Sequence, residues 1–376
     1  MNFDLSEDDA ALQDSVTRWV QQRYPFDLRR KLAATAPGFS PAHWREMAQL
    51  GWLALPFDEA LGGLAGGPLG TMLMMEQLGK GLVLEPYLAT VLLFGGVLQR
   101  SATLRNEWVP KVIDGSVLGA LACLERDSRH ELAAVQTTLR PSGDGYVLNG
   151  AKALVFNGAA ADQFVVSARS GGSRFDETGI SLVRVDAHAA GVERTVLQLM
   201  DGQWVANLRF DQVRVAASQL LFASGDGYVP LRDTVHEATL ALCAEAFGIM
   251  QVLQSTTLEY VKTRKQFGVT IGSFQALQHR LVDMFSALEQ TRSLLYRAVC
   301  SAAEGSAEAE RDLRALKVMV GKAGRLVGGE AIQMHGGMGM TDELVVGHCM
   351  KRLMVIDSSF GDADWHRMKF AALANA

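Results

Sequence analysis

Cysteine is scarce in this chain: the four present, Cys123, Cys243, Cys300 and Cys349, are spaced too widely for a paired metal motif or a disulfide framework. That usage fits a reducing cytosol. A basic, apolar leader is missing as well, since the opening MNFDLSEDDAALQDSV is acidic and patterned as an amphipathic helix. No uncharged apolar run reaches the length that spans a bilayer, so no membrane partner is expected. Positive charge is not in excess, and the formal net charge of -5 gives no sign of a nucleic-acid partner. Neither His279 nor His335 has a second His or Cys at i+3 or i+4, so no metal site is expected. What is present is ordinary for a globular cytoplasmic protein: 48% hydrophobic and 20% charged residues, in a length of 376 that has room for two or three domains.

Along the chain the patterns run helix, sheet, helix. Helical spacing marks 6–22, 41–50 and 70–81, the last with Met72, Leu73, Met75 and Leu78 as adaptable core packing, and Gly and Pro punctuation from Pro56 to Pro68 sets a long loop between them. The composition shifts near Gly115. From Leu118 to about Val215, short alternating runs at 145–148, 164–167, 179–185 and 207–210 read as antiparallel strands joined by Gly and Asp turns. After Gly225 and Gly227 long helical patterns return.

The segment with most chemical content is YVKTRKQFGVTIGSFQALQHRLVDM, residues 260–284. Tyr260 to Lys265 closes a helix, Gly268 and Gly272 supply turn positions, and Ser273 is placed to cap a helix starting near Phe274. Arg264 and Lys265 then lie at a helix C-terminus, where positive charge is favoured. On residues alone this is equally a helix-turn-helix with a solvated basic end. However, TRKQFG followed by IGSFQALQH resembles the flavin signature of the acyl-CoA dehydrogenase family, and AIQMHGGMGMTDELVVGHCMKRL, residues 331–353, resembles its second block at the matching distance. The resemblance implies FAD as cofactor, contacted from this chain by Arg264, Gln266, Phe267, Gln275, Gln333, Gly336 and Gly337 in the site of a neighbouring subunit. A guanidinium can bond a pyrophosphate in bidentate fashion, and glycines let backbone amides approach phosphate oxygens, so the residue types suit the task.

The same resemblance implies an α+β multi-domain fold: an N-terminal helical domain over 1–117, a central antiparallel β-barrel or sandwich over 118–224, and a C-terminal four-helix bundle over 225–376. It also implies removal of an acyl-CoA α-proton by a carboxylate, with an electron-transfer flavoprotein as the next electron carrier. In many members the base is a Glu before a Gly-Thr pair; here Phe360 precedes Gly361 at that place. A minority place the base on the helix before the flavin signature, at a position that falls on Ala238 with Glu237 beside it. Glu245 is the second candidate, because it interrupts the apolar run TLALCAEAFGIM, where a charge must be paired, protonated or facing a cavity. Eight residues apart, Glu237 and Glu245 are expected on roughly one helix face. The middle domain departs from the family too: LERDSRHELAAV (124–135) and NGAKALVFNG (149–158) place Leu124, Leu154 and Phe156 where flavin-bonding polar or aromatic groups are usual.

LEPYLAT (84–90), TRKQFG (263–268), IGSFQ (271–275), QMHGG (333–337) and FGDADWH (360–366) together are similar to the small subunit of the pimeloyl-CoA dehydrogenase type. That similarity implies a homo- or heterotetramer with a related larger subunit, and a dicarboxyl-CoA as one candidate substrate. Two alternatives stay open: a non-catalytic partner that completes the FAD site of a related chain, and a flavin oxidase or monooxygenase on the same fold.

Overall fold

The structure, a computed structural model, describes residues 5–373; the first four residues of the acidic opening segment and the last three of the expected third domain lie outside the described residues. The chain divides into two compact units, one made of residues 1–30, 68–83 and 239–376 and the other of 31–67 and 84–238.

Helices of the first third are α1 (Glu7–Arg23), α2 (Phe26–Ala33), α3 (Pro41–Gln49), α4 (Gly67–Lys80), a π-helical stretch Tyr87–Gly95 leading into α5 (Gly96–Gln99), and α6 (Arg105–Ile113). α1 starts where the Ser6 hydroxyl accepts from the Asp9 amide and three acidic residues occupy the first turn. α3 starts where Ser40 accepts from His43 and Pro41 follows the cap. The Tyr87–Gly95 stretch is buried on every side, so it carries no amphipathic period by which spacing could have marked it. Met72, Met74 and Met75 of α4 are buried, as core packing requires.

The middle third forms a seven-stranded sheet of β1 (Gly119–Ala122), β2 (Thr138–Ser142), β3 (Gly145–Phe156), β4 (Gln163–Arg169), β5 (Ile180–Asp186), β6 (Val192–Gln198) and β7 (Trp204–Ala216). The expectation of an all-antiparallel sheet needs correction: β4 pairs in parallel with β1, and at one position with β2, while β2–β3, β3–β7, β4–β5 and β6–β7 are antiparallel. Every residue of β4 is buried, so the alternation of inward and outward positions expected over 164–167 is not found. The β3–β7 ladder shifts register between Leu148 and Gly150 and again between Lys152 and Val155. Lys152 lies on the same inward face as Leu148, and the second irregularity, just after it, inverts the pleat so that Leu154 is exposed with φ 50° and Val155 turns inward.

The last third is α7 (Tyr228–Thr263) and, after a short hairpin, α8 (Gln275–Ala303), α9 (Ala309–His335), α10 (Val345–Ser358) and α11 (Ala363–Leu373); α8, α10 and α11 all pack on α9. By length and composition α7 is long and apolar enough to cross a membrane, but its apolar stretch is interrupted by Glu237 and Glu245 and 78% of its most apolar window is buried inside the protein, so it is a core helix. α4 and α7 cross at reciprocal glycines. A Cβ on Gly79 would lie 2.3 Å from the Glu245 carbonyl oxygen, and one on Gly248 would lie 2.0 Å from that of Glu76. Backbone contact at the crossing fixes Glu245 at its centre.

Candidate active site

α7 ends at Thr263, and the chain reverses through β8 (Lys265–Gln266) and β9 (Val269–Thr270) before α8. The two loop residues of this hairpin both have positive φ, 54° at Phe267 and 82° at Gly268, the pattern of the two-residue turn that suits strand twist. Glycine adopts that conformation freely; a phenylalanine there is strained. Its ring is also 92% exposed and meets Phe274 edge-on, with centroids 6.2 Å apart. Ser273 does not cap α8 as expected, because its hydroxyl donates to the Thr270 carbonyl at 2.7 Å. Phe274 occupies the cap position without a side-chain acceptor; its carbonyl accepts from the Leu277 and Gln278 amides, so the Gln275 and Ala276 amides are the ones left open to an anionic group. Arg264 makes no side-chain ion pair or hydrogen bond among the described residues.

The second block lies in the same unit and joins the first through one pair. Tyr260, a turn before Arg264, stacks on His335 with centroids 4.3 Å apart, and its hydroxyl donates to the His335 carbonyl at 3.4 Å. His335 ends α9 immediately before Gly336 and Gly337 and is therefore a packing residue. Gly336 takes φ 62°, which requires glycine, and added Cβ atoms at Gly336 or Gly337 would meet nothing within 4 Å. Gln333 and both glycines are exposed, as are Met338 and Met340 just beyond them. A guanidinium without a side-chain partner, an uncapped helix start, open glycines and bare aromatic and thioether groups thus belong to one unit, linked by the Tyr260–His335 stack. These residue types fit the phosphate end of a dinucleotide, together with a second protein surface that covers the apolar part. No group of three or more potential metal ligands occurs among the described residues.

The candidate bases are not brought together. Eight residues advance a helix by about 2.2 turns, an offset of about 80°, and the two carboxylates end in opposite environments. Glu237 is 58% exposed and pairs with Arg100 at 2.6 Å. Glu245 is buried and receives two hydrogen bonds from Arg352 of α10, Nε to Oε1 at 2.6 Å and a second nitrogen to Oε2 at 2.8 Å, with both side chains under 7% exposed. Of the three fates open to a charge in that apolar run, pairing is the one found. At the place of the usual base, Phe360 is 7% exposed with φ 53°, in a turn secured by Lys317 of α9. The buried Lys317 ammonium donates to the carbonyls of Ile356 (2.9 Å), Asp357 (2.8 Å) and Gly361 (2.6 Å), and burial lowers its pKa. Asp362 caps the following helix by accepting from the Trp365 amide at 2.8 Å, and Asp364 pairs with Arg367 at the surface.

In the other unit the loop 124–135 is fastened from beneath. Glu125 accepts from the Gln136 and Thr137 amides at 2.8 and 2.9 Å and from Lys152 at 2.8 Å; Lys152 also donates to Ser167 at 3.0 Å. Burial alone would raise the Glu125 pKa, but the Lys152 charge and the amide donors outweigh it and hold the carboxyl below its usual range. Burial pulls Lys152 down in turn. Sequence reasoning missed this pair; the one available signal was a lysine inside an alternating apolar strand.

The chain matches the N-terminal, middle and C-terminal domain families of acyl-CoA dehydrogenases over residues 6–116, 120–213 and 225–373. It is 30% identical to benzylmalonyl-CoA dehydrogenase of Aromatoleum aromaticum, over 79% of this chain and 80% of that one. The chain belongs to the acyl-CoA dehydrogenase family. The L-prolyl-[peptidyl-carrier protein] dehydrogenase of Serratia sp. is another similar member, 29% identical over 92% of this chain and 90% of its own. Among solved acyl-CoA dehydrogenase-like structures, PigA with FAD and proline superposes with a TM-score of 0.92 at 27% identity, covering 100% of this chain and 99% of PigA. The ChsE4-ChsE5 complex from Mycobacterium tuberculosis gives 0.90 at 26% identity, with both chains fully covered. The fold is the family's, with helical N-terminal, β middle and helical C-terminal parts, and FAD is the family's cofactor.

Proposed function

We propose that this chain is one subunit of a heteromeric acyl-CoA dehydrogenase, supplying FAD contacts while a related chain supplies the base. The observation that carries this is the state of the carboxylates: Glu245 is committed to Arg352, Glu237 to a surface pair, and Phe360 fills the turn where a base is usual. A general base needs an oxygen free to take the α-proton at the reacting carbon, and none of these three positions offers one. Arg264, Gln266, Phe267 and Gln275, with Gln333, Gly336 and Gly337, hold the phosphate end of FAD through the guanidinium, side-chain amides and open backbone. FAD, when bound, supplies the hydride acceptor for the acyl β-carbon. That the ChsE4-ChsE5 structure is a complex of two differently named chains supports such an arrangement. An electron-transfer flavoprotein would take the electrons in the cytosol, and a dicarboxyl-CoA such as pimeloyl-CoA belongs in the substrate panel.

The test is the visible spectrum of the protein purified alone and with acyl-CoAs of several lengths, one dicarboxylic. A colourless protein, or bound flavin that no acyl-CoA bleaches, is expected; anaerobic bleaching by the single chain overturns the proposal, and oxygen uptake without bleaching by an acyl-CoA points to an oxidase. Phe360→Glu is expected to confer slow anaerobic bleaching on flavin-loaded protein. Arg264→Ala should weaken FAD binding by about tenfold or more, read by flavin fluorescence; unchanged occupancy removes Arg264 from the phosphate site.

A further inference from the structure

Within the first unit, α2 meets α10 through one imidazole. His348, in the first turn of α10, has Nδ1 2.8 Å from the guanidinium of Arg29, which is 2% exposed. A guanidinium only donates, so Nδ1 is the bare nitrogen and the ring proton sits on Nε2, which faces the Asp342 carbonyl at 3.1 Å and its carboxylate at 3.0 Å. Phe26, one turn before Arg29 on the same face of α2, meets the ring edge-on with centroids 4.9 Å apart. Asp342 is a second tie, since its carboxylate lies 3.5 Å from Nη2 of Arg30. It stands two residues beyond Met340, so these contacts also hold the far end of the Gly336–Met340 segment.

The charged groups around the imidazole are Arg29 and Arg30 of α2, Asp342 of the loop before α10, and Lys351 of α10, 3.9 Å from the Asp342 carboxylate. Asp342 favours a second proton on the ring, but it is 66% exposed and shared with Arg30 and Lys351. Arg29 opposes that proton from a buried position, and burial together with the Arg29 charge lowers the ring's pKa. A proton added to Nδ1 would set two donors and two positive charges against each other at hydrogen-bond distance. The ring can therefore hold Arg29 or a second proton, not both.

We propose that His348 is an acid-operated latch: protonation of Nδ1 expels Arg29, and residues 26–30 leave α10 while the rest of the fold stays in place. Falling pH favours the released form, because the released ring takes up a proton that the seated ring excludes. The latch stands on the first unit alone and does not depend on the flavin assignments or on a partner chain.

The protein's own cysteines can report the release. Cys349 follows His348, is 1% exposed and lies close enough to Arg29 to feel its charge; Cys123 and Cys243 are buried elsewhere, and Cys300 is partly exposed. Full-length protein is labelled with dithiodipyridine between about pH 7.5 and about pH 5, a range that brackets ordinary histidine titration, and adducts are located by peptide mass spectrometry. As pH falls, Cys349 labelling should rise several-fold relative to Cys300 while Cys123 and Cys243 stay protected. A constant ratio overturns the proposal, as does a rise at Cys349 that comes only together with Cys123 and Cys243, the mark of global unfolding. His348→Phe keeps a ring beside Phe26 and cannot take a proton, so its ratio should not change with pH, and a folded variant that keeps the rise overturns the latch. Should His348→Phe fail to fold, Arg29→Met serves in its place: it removes the cation that the proton displaces and should abolish the rise, and a persisting rise rejects the latch.

Discussion

Two buried glutamates in this protein are equally hidden from water and differ in everything else. Glu245 sits at the glycine crossing of α4 and α7 with both oxygens bonded to Arg352; Glu85 uses one oxygen to hold α3 and leaves the other without a partner among the described residues. Burial alone therefore does not say what a carboxylate does. The balance of donors does: a fully answered charge holds helices together, and a half-answered one holds its helix while one oxygen stays uncompensated.

Removing one member of the answered pair should give the largest effect. Glu245→Ala strands Arg352 in the core and should lower stability by about 3–5 kcal/mol in urea unfolding. A Glu245→Gln protein of unchanged stability that has lost turnover in the assembled enzyme would reverse the contrast and restore Glu245 as a base. Next in size is Lys317→Met, which leaves three carbonyls of the 356–361 turn without their donor and should lower stability by about 2–3 kcal/mol. The smallest effect concerns a third buried partnership. Nδ1 of His348 lies 2.8 Å from the Arg29 guanidinium, so the neutral ring accepts there; burial, with the Arg29 charge, lowers its pKa below 6.5 despite the Asp342 carbonyl on the other nitrogen. The unfolded chain then binds the proton more readily than the folded one, so stability is full above about pH 6.5 and declines below it. His348→Phe should flatten that part of the thermal melting profile.

Much of the architecture was legible because it rests on local signals. The Ser6 and Ser40 caps, the Met72 stripe and the turns of the middle third all announce elements that formed, and the two flavin blocks meet on one unit. Three features were not legible, for physical reasons. The Tyr87–Gly95 stretch is buried all round and shows no period. Parallel pairing of β4 with β1 depends on long-range closure, and the inverted pleat at Leu154 and Val155 depends on a ladder irregularity that leaves no mark on one strand. For the candidate site, residue types could nominate Glu245 as a charge in an apolar helix, but its fate was decided by Arg352, 107 residues away. Glu85 attracted no notice within LEPYLAT, because a carboxylate beside a proline gives no hint that one of its oxygens will be left bare.

The strained turn at Phe267 has a consequence for the cell. A phenyl ring held almost entirely in water, beside bare Phe274, makes the uncovered chain a target for chaperones and proteases. Abundance of this protein should therefore follow the dosage of whatever surface covers that ring, and copies made in excess of it should be cleared first.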